Sequence, residues 1–190
     1  MATTIKRTGF GQVEPNHLSA QRTSQIYAQL PAANSIDILE NGQFVKYDYA
    51  NGVCNFTGKG EWMMVFNEVK LYDGWRETYK DFAMKKSNYT PGGNITHSGV
   101  GPFPGQMVPR VIKTNIGDIY TTNAIGGPNK DGKAVYAGIE VSVGDLLKVD
   151  NATGFLVAGG NAETDDMVWQ VVKIYTMADG QPAVKLMRIK

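Results

Sequence analysis

The residues that could do chemistry in this chain are few. The segment GGPNKDGKA matches a phosphate-binding loop at Gly127, Gly132 and Lys133, as far as Gly-x-x-x-x-Gly-Lys. Such a loop needs Ser or Thr next, to hold magnesium, and a following helix to aim its N-terminus at the phosphates. Here Ala134 leads into the β-type run VYAGIEV, so the segment reads as an exposed hairpin loop. His17 and His97 have no ligand or nucleophile at a recognisable spacing. Cys54 is the single cysteine; it falls on an apparent strand and reads as a small buried hydrophobe. Glu163, Asp165 and Asp166 lack the alternating ligands and central glycine of a calcium loop and read as a solvated turn. The expectation is a protein that is not an enzyme, with no metal site and no cofactor.

Aromatic side chains offer a different chemistry, because their flat faces stack on sugar rings. Trp62 and Trp169 lie within dense apolar runs and read as core, whereas Trp75, in DGWRETY, is the candidate for an exposed glycan contact.

The elements that must carry these residues are β-strands. IDILENGQFVKYDYANGVCNF is punctuated by Asn41-Gly42 and Asn51-Gly52, and Asn-Gly supplies the positive φ angles of tight hairpin turns. Val45, Tyr47 and Tyr49 fall on one parity and Phe44, Lys46 and Asp48 on the other, which predicts a half-buried strand in a meander. EWMMVFNEVKLYD is apolar on both parities around Trp62 and Phe66, predicting a strand covered on both faces. The glycines and prolines of SNYTPGGNITHSGVGPFPGQ predict a long exposed loop near 87–107. MVPRVIKTNIGDIYTTNAI predicts two strands about a turn at Asn115 to Gly117, and MVWQVVKIYTM with QPAVKLMRIK predicts a closing hairpin across Ala178-Asp179-Gly180. IGDIYTTN and VGDLLKVD echo one another, each opening a strand with Gly-Asp, which we read as a shared turn device.

Residues 1–34 differ. Their apolar residues are scattered with no sustained period, so the segment reads as an extended arm that cannot build a core, with a short helix from Ser19 toward Leu30. The expected division is an arm over 1–34 and a β-rich domain over 35–190. The fold class is all-β, as a small antiparallel β-barrel or sandwich with long Gly/Pro-rich loops.

Composition narrows the partners. Nineteen basic against 18 acidic side chains give a formal charge of +1, too little to drive nucleic-acid binding by counterion release. No run approaches the roughly 20 apolar residues of a membrane helix, and no apolar segment follows the basic residues near the N-terminus. The expected partners therefore include neither nucleic acid nor membrane. With one cysteine there is no internal disulfide, which fits synthesis in a reducing cytoplasm. Asn55, Asn88, Asn94 and Asn151 head Asn-x-Thr triplets that read as turn chemistry.

The polar N-terminal segment followed by a glycine-rich β region ending in a tight hairpin resembles the capsid decoration, or cement, proteins of tailed bacteriophages. VGDLLKVDNATGFLVAGG in particular is similar to their pattern of Gly-Asp, strand, Asp-x-x-Thr-Gly, strand, and the likeness extends from Val141 to Lys190. The resemblance implies a virion protein on the capsid surface that clamps neighbouring subunits of the major capsid protein, commonly as a homo-oligomer and most often a trimer. In that setting the arm would thread along the shell, with Ile5, Phe10, Ile26, Tyr27 and Leu30 as apolar anchors. Lys6, Arg7 and Arg22 would meet acidic patches, and deleting residues 2–33 would leave the β domain folded. The alternative is a β-rich carbohydrate- or receptor-binding module of a phage head or tail fibre, using Trp75 and the 87–106 loop.

Overall fold

A computed structural model of the chain describes residues 1–67, 72–73, 76–77, 83–89, 106–128, 135–136 and 138–190. The protein is all-β. A five-stranded sheet runs in the order Ile26–Tyr27, Val111–Lys113, Trp62–Val65, Phe44–Asp48, Val53–Asn55. A six-stranded sheet runs Leu156–Ala158, Leu146–Val149, Val168–Thr176, Pro182–Arg188, Ile119–Thr122, Val13–His17. Neighbours within both sheets are antiparallel. Among the described residues neither sheet closes on itself, so the barrel form of the expectation is not met.

Side-chain alternation explains how the two sheets share one core. Phe44, Trp62, Met64 and Ile112 of the smaller sheet meet Tyr120, Leu147, Leu156, Trp169, Val171, Val184 and Leu186 of the larger one. Trp169 links them, its ring 6.0 Å from Phe44 and 4.8 Å, edge to face, from Tyr120. Each such fully buried apolar side chain contributes roughly 1.5–3 kcal/mol.

The opposite face of the five-stranded sheet is covered too. Val45, Tyr47, Cys54, Met63, Val65 and Val111 pack under Ile36, Leu39, Met84 and Met107, in a second cluster. The covering layer is held by backbone bonds, from Cys54 N–H to Pro31 O (2.7 Å), Ala33 N–H to Cys54 O (2.9 Å) and Ala32 N–H to Met107 O (2.8 Å). Trp62–Val65 is thus buried on both faces as its composition predicts. Phe44–Asp48 is also buried on both, rather than half-buried, because this second layer lies over it. Lys46 projects to the side of the shared core and keeps its charge satisfied at the rim, with Nζ 3.0 Å from Asp166 and 4.7 Å above the Trp62 ring.

Residues 1–34 are woven into this body and form no separate arm. Thr3–Thr4 pairs with Glu140–Val141, Arg7–Thr8 with Val135–Tyr136, Val13–His17 with Ile119–Thr122, and Ile26–Tyr27 with Val111 and Ile112. Ile5, Leu18 and Ala20 belong to the main core. The expectation that residues 2–33 can be removed from a folded domain therefore fails on structural grounds: they carry strands and core side chains. The expected helix is a single turn, Ala20–Thr23, ended by Ser24 at φ 57°, after which Ile26 and Tyr27 enter a sheet. Ser19 does not cap that turn; its hydroxyl donates to Asp118 Oδ1 at 2.7 Å instead.

The echoed Gly-Asp segments are the same turn, and a third copy occurs at Glu40 to Gln43. In each, the fourth residue's N–H donates to the first carbonyl, and its side chain accepts from the first residue's N–H: Gln43 Oε1 from Glu40 (3.0 Å), Asp118 Oδ2 from Asn115 (2.8 Å), Asp145 Oδ2 from Ser142 (2.8 Å). The third residue is a glycine at φ 86°, 90° and 97° respectively. A positive φ at that position alone is the type II pattern, which glycine adopts without steric cost. Asn41 has no positive φ, so the Asn41-Gly42 hairpin expectation gives way to this capped turn. The closing hairpin forms as predicted, with Val168–Thr176 against Pro182–Arg188 and a register shift between Val171 and Lys173.

Candidate functional site

Among the described residues the covering layer leaves one corner of the five-stranded sheet open. There the outer face carries Tyr27, Tyr47 and Tyr49, with Met63, Glu61, Gly60 and Lys113 beside them, around an open cleft of about 230 Å³. Strand register assembles it. Tyr27 lies opposite Val111, Lys113 opposite Met63, and Met63 opposite Val45, two residues before Tyr47 on the same face. The rings form a ladder: Tyr27 to Tyr47 is 6.5 Å at 65°, and Tyr47 to Tyr49 is 5.8 Å at 85°. Tyr47 is the buried floor, and its hydroxyl accepts the Gln29 N–H at 3.2 Å. Burial pushes that phenol's pKa up, so it stays protonated and able to hydrogen-bond. Tyr49 is the exposed lip, 74% accessible. At the rim Lys113 Nζ lies 3.0 Å from Glu61 Oε2, while Arg188 Nη1 is 3.3 Å from Glu61 Oε1. The shelf thus joins aromatic faces to one half-exposed donor and one half-exposed acceptor.

A second cleft, of about 320 Å³, lies between Trp62 and the Lys148 to Asn151 and Thr164 to Met167 segments. Its charges are matched to one another: Lys46 to Asp166 at 3.0 Å and Lys148 to Asp165 at 3.6 Å. Asp150 holds its own turn, accepting from Thr153 Oγ1 at 2.6 Å. The acidic residues Glu163, Asp165 and Asp166 form no metal-binding group among the described residues. Cys54 is buried and its thiol is pushed up to about 12 by loss of solvent, which keeps it an unreactive protonated thiol. The Tyr120 phenol is raised by burial in the main core.

The anticipated contact residues are divided by the fold. Ile5, Arg7 and Phe10 are buried inside this chain. Arg7 is the most constrained: Nη2 donates to Gly127 O at 2.6 Å and pairs with Glu40 Oε2 at 3.2 Å, and its guanidinium lies 5.4 Å from the Phe155 ring centre. Glu40 in turn accepts the Gly11 N–H at 2.7 Å. This pair locks the N-terminal segment to the body and is buried away from the surface. Ile26 packs partly against the main core, and Tyr27 and Leu30 against the second cluster. Lys6 and Arg22 are exposed. Trp75, His97, Gly132 and Lys133 lie outside the described residues, as does most of the 87–107 loop.

Of the shelf residues, only Tyr27 is among the anticipated contacts. Tyr47 and Tyr49 share a parity in the sequence, which places them on one face, but Glu61 and Lys113 join them only through cross-strand register. Comparison with protein-family models, with curated proteins and with solved structures finds no match to this chain.

Proposed function

We propose that this chain is a non-enzymatic virion protein that binds the outer surface of a tailed-phage capsid and clamps neighbouring major capsid protein subunits, as a homo-oligomer. The observation that carries this reading is the form taken by the segment bearing the resemblance. Between Val141 and Lys190 the Gly-Asp and Asp-x-x-Thr-Gly elements are short turns closed by the Asp145 and Asp150 side chains, at the two ends of the strand Leu146–Val149 of the six-stranded sheet. A turn fixed by its own side chain holds its tip in one geometry, so little conformational entropy remains to be lost on docking. Two copies of the capped turn present Ile116 and Val143 outward, at 71% and 62% exposure, as apolar points on rigid supports. Lys6 and Arg22 remain on the surface for acidic capsid patches. The contact thus rests on turn tips and surface cations of the folded body, in place of a threading arm.

The test is co-sedimentation of the purified protein with expanded, undecorated phage capsids. Saturation at a fixed ratio to capsid subunits, together with greater resistance of the shell to heat, is the expected result. Ile116→Asp with Val143→Asp should weaken binding about tenfold or more while leaving the fold intact, since both side chains are exposed. Absence of binding to capsids from a broad set of tailed phages would overturn the reading.

A further inference from the structure

We infer that the tyrosine shelf is a saccharide site, taking one pyranose ring whose hydroxyls are mostly equatorial. The argument begins with what the face is missing. The outer side of this sheet is covered along Val45, Tyr47, Val65 and Val111 by a packed apolar layer, and among the described residues that layer leaves the Tyr49 ring exposed. A sheet face open to water is normally polar, as the inward and outward alternation of strands requires. This one instead presents the Tyr49 ring, exposed to 74%, beside the partly buried Tyr27 and over the buried Tyr47.

Size and polarity identify the occupant. The cleft of about 230 Å³ is below the roughly 300–1,000 Å³ of pockets for drug-sized ligands, which suits a single ring at the end of a chain. A pyranose with equatorial hydroxyls has an apolar face of axial C–H bonds and a polar rim. The apolar face matches Tyr49 and Tyr27, and the rim matches the Lys113 ammonium and the Glu61 carboxylate, 3.0 Å apart and each partly exposed. The Lys113 ammonium can donate to one ring hydroxyl and the Glu61 carboxylate, shared with Lys113 and Arg188, can accept from its neighbour, a donor and acceptor set that suits adjacent hydroxyls. A proline-rich peptide would also stack on tyrosines, but it is served by a long groove of successive aromatic pockets. The shelf is a single short cleft bounded by a charge pair.

The test uses the full chain with cellohexaose as the probe, followed by saturation-transfer difference NMR and calorimetric titration. Binding in the millimolar range is expected, with transfer to the ring C–H protons. Methyl β-D-alloside, whose axial 3-hydroxyl interrupts the face of axial C–H bonds, should bind more weakly than methyl β-D-glucoside. Tyr49→Ala should keep the wild-type melting temperature and lose about tenfold in affinity. Lys113→Met should lose less than Tyr49→Ala. Absence of transfer to cellohexaose at millimolar concentration, unchanged affinity in Tyr49→Ala, or binding of a proline decamer in place of the sugar would overturn the inference. Tyr49 follows a strand of the five-stranded sheet, whereas Ile116 and Val143 precede strands of the six-stranded one, so capsid co-sedimentation of Tyr49→Ala is expected to be normal. The two readings therefore stand or fall separately.

Discussion

The N-terminal segment sends one strand, Val13–His17, into the six-stranded sheet that holds the C-terminal hairpin, yet the two regions are built on opposite principles. The hairpin joins strands of nine and seven residues across a turn at Ala178 to Gly180, so that each strand finds its partner a few residues away. The N-terminal segment contributes pieces as short as Thr3–Thr4 and Arg7–Thr8, whose partners lie near residues 135–141. Local pairing costs little loop-closure entropy and stands on its own pattern; distant pairing has to be held by side chains that reach across the fold. Arg7, with its bonds to Glu40 and to the Gly127 carbonyl, is such a side chain.

The largest effect that would break this comparison is removal of the segment. Deleting residues 2–33 is expected to abolish cooperative thermal unfolding followed by circular dichroism, because an edge strand and Ile5, Leu18 and Ala20 leave with it. A deletion variant that still melts sharply would show the segment to be an accessory after all. Next in size, Arg7→Met removes the Arg7 cation from the buried Glu40 carboxylate and should cost roughly 3–5 kcal/mol in urea denaturation. Adding Glu40→Gln to it should recover part of that loss, which sharpens the assignment to charge. The smallest effect belongs to the hairpin: Gly180 sits at φ 84° with open space where a Cβ would stand, so Gly180→Ala should cost only about 1–2 kcal/mol, from backbone conformation alone. A larger loss there would mean that the hairpin, too, depends on contacts beyond its own strands.

The same contrast explains what is legible in the sequence. MVWQVVKIYTM and QPAVKLMRIK announce a hairpin because apolar periodicity and the Asp179-Gly180 turn occur within one short window. Ile5 carries no such period, since it sits between two-residue strands, and Leu18 follows a strand, Val13–His17, with no fully buried side chain to set one; their polar neighbours suggest an unstructured arm. The shared turn is visible in IGD and VGD, but its third copy at Glu40 to Gln43 is hidden because a glutamine stands where the other two have an aspartate. The shelf is half legible: Tyr47 and Tyr49 follow from strand parity, whereas Glu61, Lys113 and Tyr27 arrive from three other segments and need the register to be known. Tyr47 also shows why the covered sheet escaped its pattern, since a tyrosine reads as amphipathic although here it lies beneath a second layer.

The strand Pro182–Arg188 occupies an interior place in its sheet, flanked by Val168–Thr176 on one side and Ile119–Thr122 on the other. Val13–His17 docks on the far side of Ile119–Thr122. During translation, then, residues 13–17 can meet their neighbour only after some hundred residues more have emerged, and that pair joins the rest of the sheet only once residue 188 is out. A product cut short before Pro182 lacks the strip between the two halves of the sheet, and it exposes two unpaired edges to proteases and chaperones. Order along the ribosome and order in the sheet run against each other, so a partial product has no stable half in which to shelter.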